Sequence, residues 1–372
     1  MIPRVQKDSL QSAIRSSRIV LVRGPRNVGK LQLVHEVIEA ENLNQQTLDC
    51  RSKKVKSEAK DWIDSIEDLT DVIILQEAQF LEDLQLIVEK AFSGDLKQSL
   101  VIICSFEPQL DDALVEALRM EGLEFNVYAP SFYEAAQHFG LPQEEKLLEE
   151  RLIFGNSPAV LNDLEHAELT LRELIQNILH TKMGAKDRVN KGDKLLRVMQ
   201  LLAFEIGEPV SYNEIGERCG LDNETVERYV ELLEQAFILI KLPSYHTEQR
   251  YELKKSHCIY FQDNGIRNAL ISNFNPTFLR NDMLQLWKNY MVAERVKWLR
   301  MNNVPNDVYF WRTHTRQQID FLEIGDQMMA YKMDWEKRKK VKIPKMFTEL
   351  YPESKAIVLN RSSYWSFLSR KK

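Results

Sequence analysis

Seven consecutive residues between an apolar run and a helical pattern have the spacing of a phosphate-binding loop. The apolar run is Ile19–Val22, and the loop reads Gly-Pro-Arg-Asn-Val-Gly-Lys from Gly24 to Lys30. Glycines at both ends let backbone N–H groups converge on phosphate oxygens, and Lys30 would reach the β- and γ-phosphates. We therefore predict a nucleotide-binding site formed by Gly24, Pro25, Arg26, Asn27, Val28, Gly29, Lys30 and Leu31.

The positions that normally hold Mg²⁺ beside such a loop lack their oxygen ligands. Leu31 stands where a Ser or Thr hydroxyl would bind the ion. A second apolar run ends in Gln76-Glu77, where an Asp for the metal and a Glu that orients water are expected. Glu77 is the candidate catalytic base, whereas Gln76 supplies no anionic charge. The pattern predicts binding of ATP or ADP more strongly than hydrolysis and leaves a role for Mg²⁺ open.

A third buried strand is predicted over 99–105 and ends at Ser105. The Ser105 hydroxyl could sense a γ-phosphate, although helix capping explains a serine there equally well. Further strands are predicted at 46–49 and 124–128, and a helix over 5–16 leads into the first strand. Strands that alternate with helices favour a parallel α/β sheet, which Pro130 closes.

Composition restricts the class of protein. The chain has 372 residues, 44% of them hydrophobic, and a formal net charge of −5, so it offers no overall attraction for nucleic acid. Its four cysteines are far apart and form no CxxC pair, which favours reduced thiols over a disulfide framework or a zinc site. No apolar run has the length of a membrane span, and the N-terminus lacks signal-peptide features. We predict a cytoplasmic protein without membrane contact.

A helical lid is predicted over 132–192, and helix-turn-helix spacing follows it. Two strand-like runs, 237–242 and 257–261, enclose a polar segment and favour a winged helix over 193–270. A DNA-reading helix would contact DNA through Asn223, Thr225, Arg228 and Tyr229. The wing would add the cations Arg250, Lys254 and Lys255. The same helix carries Glu224, Glu227 and Glu231, which repel phosphate, so a structural or protein-docking role stays open.

The last hundred residues outline a metal-dependent nuclease core. A long helix over 283–300 precedes a strand at 308–312, a strand that contains Asp320, and a third strand with Lys332 and Asp334. The order Lys-x-Asp is the reverse of the expected Glu-x-Lys. A half-buried hairpin with alternating polar residues explains the same pattern. The basic run 337–340 lies beside this site and is typical of a solvated face.

Taken together, these motifs resemble the large prokaryotic family of AAA-type ATPases whose C-terminal domain of unknown function has a restriction-endonuclease-like fold. The resemblance covers almost the whole chain and rests on the order of GPRNVGK, IILQEAQ, IYFQDNGIRNALI, RNDMLQLWKNYMVAERVK and YFWRTHTRQQIDF. The family pattern places Thr at position 31, Asp at 76, and Glu at 288, 318 and 332. This chain has Leu31, Gln76, Lys288, Gln318 and Lys332 there.

These departures imply a member in which both chemistries have decayed while the folds remain. The nuclease-like site would be degenerate, with Asp320, Lys332 and Asp334 left and no metal bound. Lys288 and Lys332 could replace the metal by pairing with Asp320 and Asp334.

The predicted architecture is α/β: a P-loop parallel sheet with a helical lid, a winged-helix module and a C-terminal α/β nuclease-like domain. Its boundaries are 1–131, 132–192, 193–270 and 271–372. The predicted function is ATP binding of the AAA type with weak or lost hydrolysis, and partner or DNA binding by the C-terminal modules. An active ATPase with water-mediated Mg²⁺, and a non-enzymatic DNA-binding regulator, are the alternatives. Oligomerisation stays open.

Overall fold

The computed structural model describes residues 2–52, 55, 63, 66, 69–180, 191–246, 256–336 and 341–369. The chain folds as two compact units. The first ends at Pro130 and includes Gln235–Phe237, and the second contains the rest of the chain. The predicted four-part division is not tested by these units and stays a prediction. The wing cations Arg250, Lys254 and Lys255 and the basic run 337–340 lie outside the described residues.

The first unit is a parallel five-stranded sheet in the order β2-β3-β4-β1-β5. Its strands are β1 Ile19–Arg23, β2 Gln45–Asp49, β3 Val72–Gln76, β4 Ser99–Cys104 and β5 Glu124–Asn126. Its described helices are α1 Lys7–Ser16, α2 Lys30–Ala40, α3 Leu84–Ser93 and α4 Asp112–Met120. The predicted parallel α/β sheet is confirmed. Strand β5 ends at Asn126, earlier than predicted. Beyond its end the chain still contacts β1, since Val127 N–H donates to Arg23 O at 2.7 Å.

Strand order explains why distant residues meet at one sheet edge. Strand β4 lies between β1 and β3, with Arg23 opposite Cys104 and Gln76 opposite Ile103. In parallel strands the carboxyl ends share an edge. The segments that follow β1, β3 and β4 therefore emerge side by side. The central strands are apolar and fully buried, which fixes this edge against a continuous core.

The second unit begins with helices and continues as a helix-turn-helix segment. Its first helices are α5 Phe132–Phe139, α6 Leu141–Phe154, α7 Pro158–Asn162 and α8 Ala167–His180. Then come α9 Lys191–Phe204, β6 Pro209–Val210, α10 Tyr212–Cys219, α11 Asn223–Gln235, β7 Leu239–Pro243 and β8 His257–Phe261. Strands β6, β8 and β7 form an antiparallel sheet. Asp222 caps the N-terminus of α11, since Thr225 N–H donates to Asp222 Oδ1 at 2.7 Å.

The rest of the second unit surrounds one long helix. It consists of α12 Asn264–Leu270, α13 Met283–Met301, β9 Asp307–Arg312, β10 Gln318–Ile324, β11 Met328–Met333, α14 Lys345–Leu350, β12 Lys355–Leu359 and α15 Tyr364–Leu368. The sheet order is β12-β11-β10-β9, with β10 antiparallel to both neighbours and β12 parallel to β11. The sequence prediction missed α12, α14, β12 and α15.

Buried polar side chains on α13 connect it to its surroundings. Asn289 accepts a hydrogen bond from Phe261 N–H at 2.7 Å and donates to Phe261 O at 2.9 Å. Glu294 accepts from Phe132 N–H at 2.7 Å and from Lys297 at 2.6 Å. Because a buried polar group without a partner is costly, these bonds fix the rotation of α13 and hence the position of Lys288. Among the described residues, no helix is long and apolar enough to cross a bilayer.

Candidate functional site

The glycine-rich loop has a backbone that only some residues tolerate. A Cβ atom at Gly24 would lie 1.8 Å from Val127 O, so a larger residue there would displace the neighbouring segment. Asn27 and Gly29 are both in the left-handed region, with φ of 60° and 91°. Among the described hydrogen bonds, none uses the N–H of residues 26–29 as a donor. These groups are available to an anion at the N-terminus of α2.

Lys30 is buried and turned back onto the loop. Its ammonium group donates to Gly24 O at 2.8 Å, to Pro25 O at 2.7 Å and to Ser105 Oγ at 3.0 Å. Ser105 in turn donates to Glu77 Oε1 at 2.7 Å. The structure thus brings the predicted loop, sensor and base residues together, in the order Lys30, Ser105, Glu77, along one edge of the sheet.

Glu77 is held by groups that the sequence analysis did not assign. Gln79 donates to Glu77 Oε2 at 2.8 Å, and the Arg26 guanidinium lies 3.5 Å from the same oxygen. The backbone of Glu77 is left-handed, with φ of 56°, which is unfavourable for a residue with a side chain. Strained residues of this kind concentrate at functional sites, and here the strained turn directs a carboxylate toward the loop. The only sequence signal for Gln79 was its position just after the strand.

Burial controls the protonation of Lys30. Removal from water lowers the pKa of Lys30 to about 8, and the nearby Glu77 carboxylate opposes this change. The neighbouring Cys104 thiol is also buried, which raises its pKa to about 12 and keeps it neutral. Lys30 therefore begins to lose its proton just above neutral pH.

The residues present do not fit a Mg²⁺ site. Leu31 packs its side chain against the hydrophobic core of the first unit, and Gln76 ends β3 with a neutral amide. Mg²⁺ requires oxygen ligands, preferably anionic ones. Among the described residues, no group of three or more His, Cys, Asp or Glu side chains could hold a metal ion. The Glu77 carboxylate already accepts hydrogen bonds from Ser105 and Gln79 and lies beside the Arg26 guanidinium.

A second charged cluster lies in the second unit around Asp320, which is fully buried. The Asp320 carboxylate is 2.8 Å from Lys288 Nζ and 3.4 Å from Lys332 Nζ, and it accepts from Met333 N–H at 2.8 Å. Burial alone would raise the pKa of Asp320, but the two ammonium groups hold it below its usual value. The predicted pairing of both lysines with Asp320 is confirmed in geometry.

Two sequence predictions need correction. Asp334 pairs with no described lysine: one carboxylate oxygen accepts from Glu336 N–H at 3.1 Å, and the other is buried without a partner. The prediction that Tyr229 reads DNA is wrong, because its side chain is 4% exposed and packs inward with Val226 and Val230. Residues three and four positions apart lie on the same face of a helix, so all three face the core. Thr225 and Arg228 remain on the accessible side of α11.

The first unit also contains a buried charge network that was not predicted. Arg23, at the end of β1, pairs with Glu124 at 2.6 Å and with Glu107. Arg119 holds the other Glu124 oxygen at 2.9 Å. A charged residue directly after the apolar run of β1 was the available signal, but its partners lie about a hundred residues further along the chain.

Comparison with known families agrees with this geometry. Residues 16–136 match the family model described as an AAA domain, and residues 145–277 match a model described as a domain of unknown function (DUF8612). The first match contains the loop, Glu77 and Ser105. The chain therefore has an AAA-family P-loop ATPase domain followed by a domain of unknown function. Neither match extends into residues 278–372.

Related sequences are uncharacterised. A Haemophilus influenzae protein is 27% identical over 208 residues, which are 53% of this chain and 52% of that protein. Proteins from Mycobacterium bovis and Mycobacterium tuberculosis are 21% identical over 331 residues, or 87% of this chain and 72% of theirs. The chain thus aligns with about half of the Haemophilus protein.

Two solved structures show a limited likeness. A Walker-type ATPase of Pyrococcus abyssi is 12% identical with a TM-score of 0.48, over 73% of this chain and 96% of that one. The RuvB Holliday junction branch migration motor of Thermotoga maritima is 16% identical with a TM-score of 0.32, over 64% and 88%. Because both TM-scores are below 0.5, these likenesses add nothing to the assignment.

Proposed function

We propose that the AAA domain binds ATP or ADP through the loop Gly24–Leu31 and hydrolyses ATP weakly or not at all. One observation carries the proposal. Lys30 is buried and correctly placed beside Ser105 and Glu77, whereas the two positions that would hold Mg²⁺ carry Leu31 and Gln76. The groups that would bind phosphate are present together with the candidate base Glu77, whereas the hydroxyl and the carboxylate expected to hold Mg²⁺ are replaced by Leu31 and Gln76.

Phosphate binding requires no new chemistry from the chain. The N–H groups of residues 26–29 and the Lys30 ammonium would donate to the phosphate oxygens, while Arg26 adds a second cation. The carbonyl groups that Lys30 now contacts are weaker partners than a phosphate anion. Glu77 would remain paired with Arg26 or Ser105, which leaves it a poor base for water.

Calorimetric titration with ATP tests this proposal. The natural chain should bind ATP with the same affinity in Mg²⁺ and in EDTA, because no residue couples the metal to the loop. Lys30→Ala should weaken binding by at least about tenfold, the loss expected for hydrogen bonds to a charged group. Binding that requires Mg²⁺, together with turnover that Lys30→Ala abolishes, would instead establish the active-ATPase alternative. Absence of ATP binding under both conditions would refute the proposal.

The pH dependence of ATP affinity provides an independent check. Around pH 7 Lys30 is mostly charged and affinity should change little. Above pH 8 the free protein loses this proton, and bound phosphate would hold it. The dissociation constant should therefore rise by up to about tenfold per pH unit between pH 8 and the alkaline pKa of the complex. Lys30→Arg is the matched control, because a guanidinium stays charged and its profile should be flat.

We propose that the second unit is a binding module for a protein partner or DNA rather than a nuclease. The order α9, β6, α10, α11, β7, β8 supports the winged-helix interpretation, and the order α13, β9, β10, β11, α14, β12 supports descent from a nuclease-like domain. Metal-dependent cleavage is disfavoured because the ammonium groups of Lys288 and Lys332 pair with the Asp320 carboxylate that would bind the metal. The exposed glutamates around Arg228 favour a protein partner on α11.

A further inference from the structure

A cavity of about 280 Å³ opens in the second unit between β6 and the turn that connects β9 to β10. Neither the nucleotide site nor the Asp320 cluster includes its lining. The residues that line it are Glu208, Pro209, Arg312, Thr313, His314 and Arg316.

The charges at this cavity do not cancel. Arg312 pairs with Glu208 at 2.7 Å, and Glu208 is the single carboxylate among the lining residues. Arg316 is exposed, and no described carboxylate pairs with it. With His314 neutral, the lining therefore carries one net positive charge. An unpaired guanidinium beside a paired one is a suitable receptor for a doubly charged oxyanion.

The Asp320 cluster, whose Lys288 interacts electrostatically with the lining residue Glu208, is positive as well. Lys288 and Lys332 share one carboxylate, Asp320, so this buried cluster also carries a net positive charge. Burial opposes the charged form of Lys288, but Asp320 and then Glu208 raise its pKa. Glu208 also pairs with Arg312. Glu208 is thus one counter-ion facing several cations.

The β9–β10 turn is closed by its own hydrogen bonds. Thr313 N–H donates to Gln317 O at 2.9 Å, Gln317 N–H donates to Thr313 Oγ1 at 3.1 Å, and Arg316 N–H donates to Thr313 O at 3.0 Å. Arg316 has φ of 64°, a left-handed conformation that glycine or asparagine would adopt at lower cost. The turn therefore holds an arginine at the mouth of the cavity despite backbone strain.

We propose that this cavity is an oxyanion site that takes a phosphate group. Arg316 and Arg312 bind the phosphate oxygens, and Glu208 is the counter-ion that the phosphate replaces at Arg312. The phosphate belongs either to a free polyphosphate or to the backbone of a nucleic acid, and both present anionic phosphate oxygens to the guanidinium groups.

Binding of tripolyphosphate and of a fluorescein-labelled single-stranded oligonucleotide tests this site. Both are titrated into the full chain carrying Lys30→Ala, which weakens the contribution of the P-loop equally in every variant compared. Arg316→Glu should weaken tripolyphosphate binding by at least about tenfold, since it removes a charge-assisted contact and adds repulsion. Glu208→Gln should strengthen binding several-fold, because Arg312 loses its competing carboxylate. Arg172→Glu, the same change at an exposed arginine on α8, is the matched control.

Opposite effects of Arg316→Glu and Glu208→Gln, with Arg172→Glu unchanged, support the site. Competition between the oligonucleotide and tripolyphosphate identifies a nucleic-acid backbone as the source, and tripolyphosphate binding without oligonucleotide binding identifies a free anion. Equal losses for Arg316→Glu and Arg172→Glu would show only a general effect of net charge and would overturn the proposal. So would unchanged binding in both Arg316→Glu and Glu208→Gln.

Discussion

Introducing Leu31→Thr together with Gln76→Asp should raise ATP turnover by at least about a hundredfold, the several kcal/mol of charge stabilisation that a bound metal supplies. The double change restores a hydroxyl at the start of α2 and a carboxylate at the end of β3. Glu77 and Ser105 are already present at the same edge of the sheet. Each single change should have little effect, because residues that hold one ion act as a unit.

The matched control is Leu31→Val with Gln76→Asn, which reproduces the shapes of Thr and Asp without the hydroxyl and the carboxylate. Both double variants lose the packing of Leu31 against the core, so their stabilities should be similar. Steady-state phosphate release in Mg²⁺ is the measurement. If the Thr/Asp variant binds ATP and still shows no turnover above the Val/Asn control, the loss of activity has another cause, such as the pairing of Glu77 with Arg26.

Asp320→Asn should destabilise the second unit by about 3–5 kcal/mol, the typical cost of removing one partner from a buried ion pair. Asp320 is fully buried, and its carboxylate compensates the ammonium groups of Lys288 and Lys332. An amide has nearly the same shape but no charge, so the variant would leave two buried cations facing each other. Urea unfolding, followed by the fluorescence of the buried Trp287 on the same helix as Lys288, measures the loss.

Adding Lys288→Met and Lys332→Met to Asp320→Asn should recover most of this stability, because uncharged side chains of similar length remove the uncompensated charge. A loss of less than about 1 kcal/mol in Asp320→Asn would instead show that water compensates the lysines and that the cluster does not replace a metal ion structurally. The triple variant also separates the roles of the two units, because its ATP affinity should equal that of the natural chain.

Much of the nucleotide site could be predicted from the sequence, because its signals are local. The apolar run of β1, the glycines at both ends of the loop and the lysine that follows are contiguous, and each has a direct backbone consequence. The end of β3 and the serine after β4 were found in the same way, from buried runs that end in polar residues. The missing hydroxyl at Leu31 and the missing carboxylate charge at Gln76 could be seen in the sequence alone.

The partners of these residues could not be predicted, because they depend on strand order and on the rotation of helices. Nothing near Arg26 in the chain indicates that it faces Glu77, which is fifty-one residues away and meets it only because β4 lies between β1 and β3. The error at Tyr229 was of another kind, because its spacing from Val226 and Val230 already indicated the core face of α11. Helix α14 and strand β12 were missed because their short, mixed patterns acquire meaning only beside β11.

For this protein, residue types along the chain were sufficient to predict a phosphate-binding loop and to show that Leu31 and Gln76 stand where a hydroxyl and a carboxylate are expected. Only the folded structure showed how the remaining charges are neutralised: Glu77 by Arg26, and Asp320 by two lysines that come from a helix and from the neighbouring strand. The physical reason is the distance along the chain over which each property is determined. Backbone conformation and ligand chemistry are set by neighbouring residues, whereas the compensation of a buried charge depends on whichever elements pack around it.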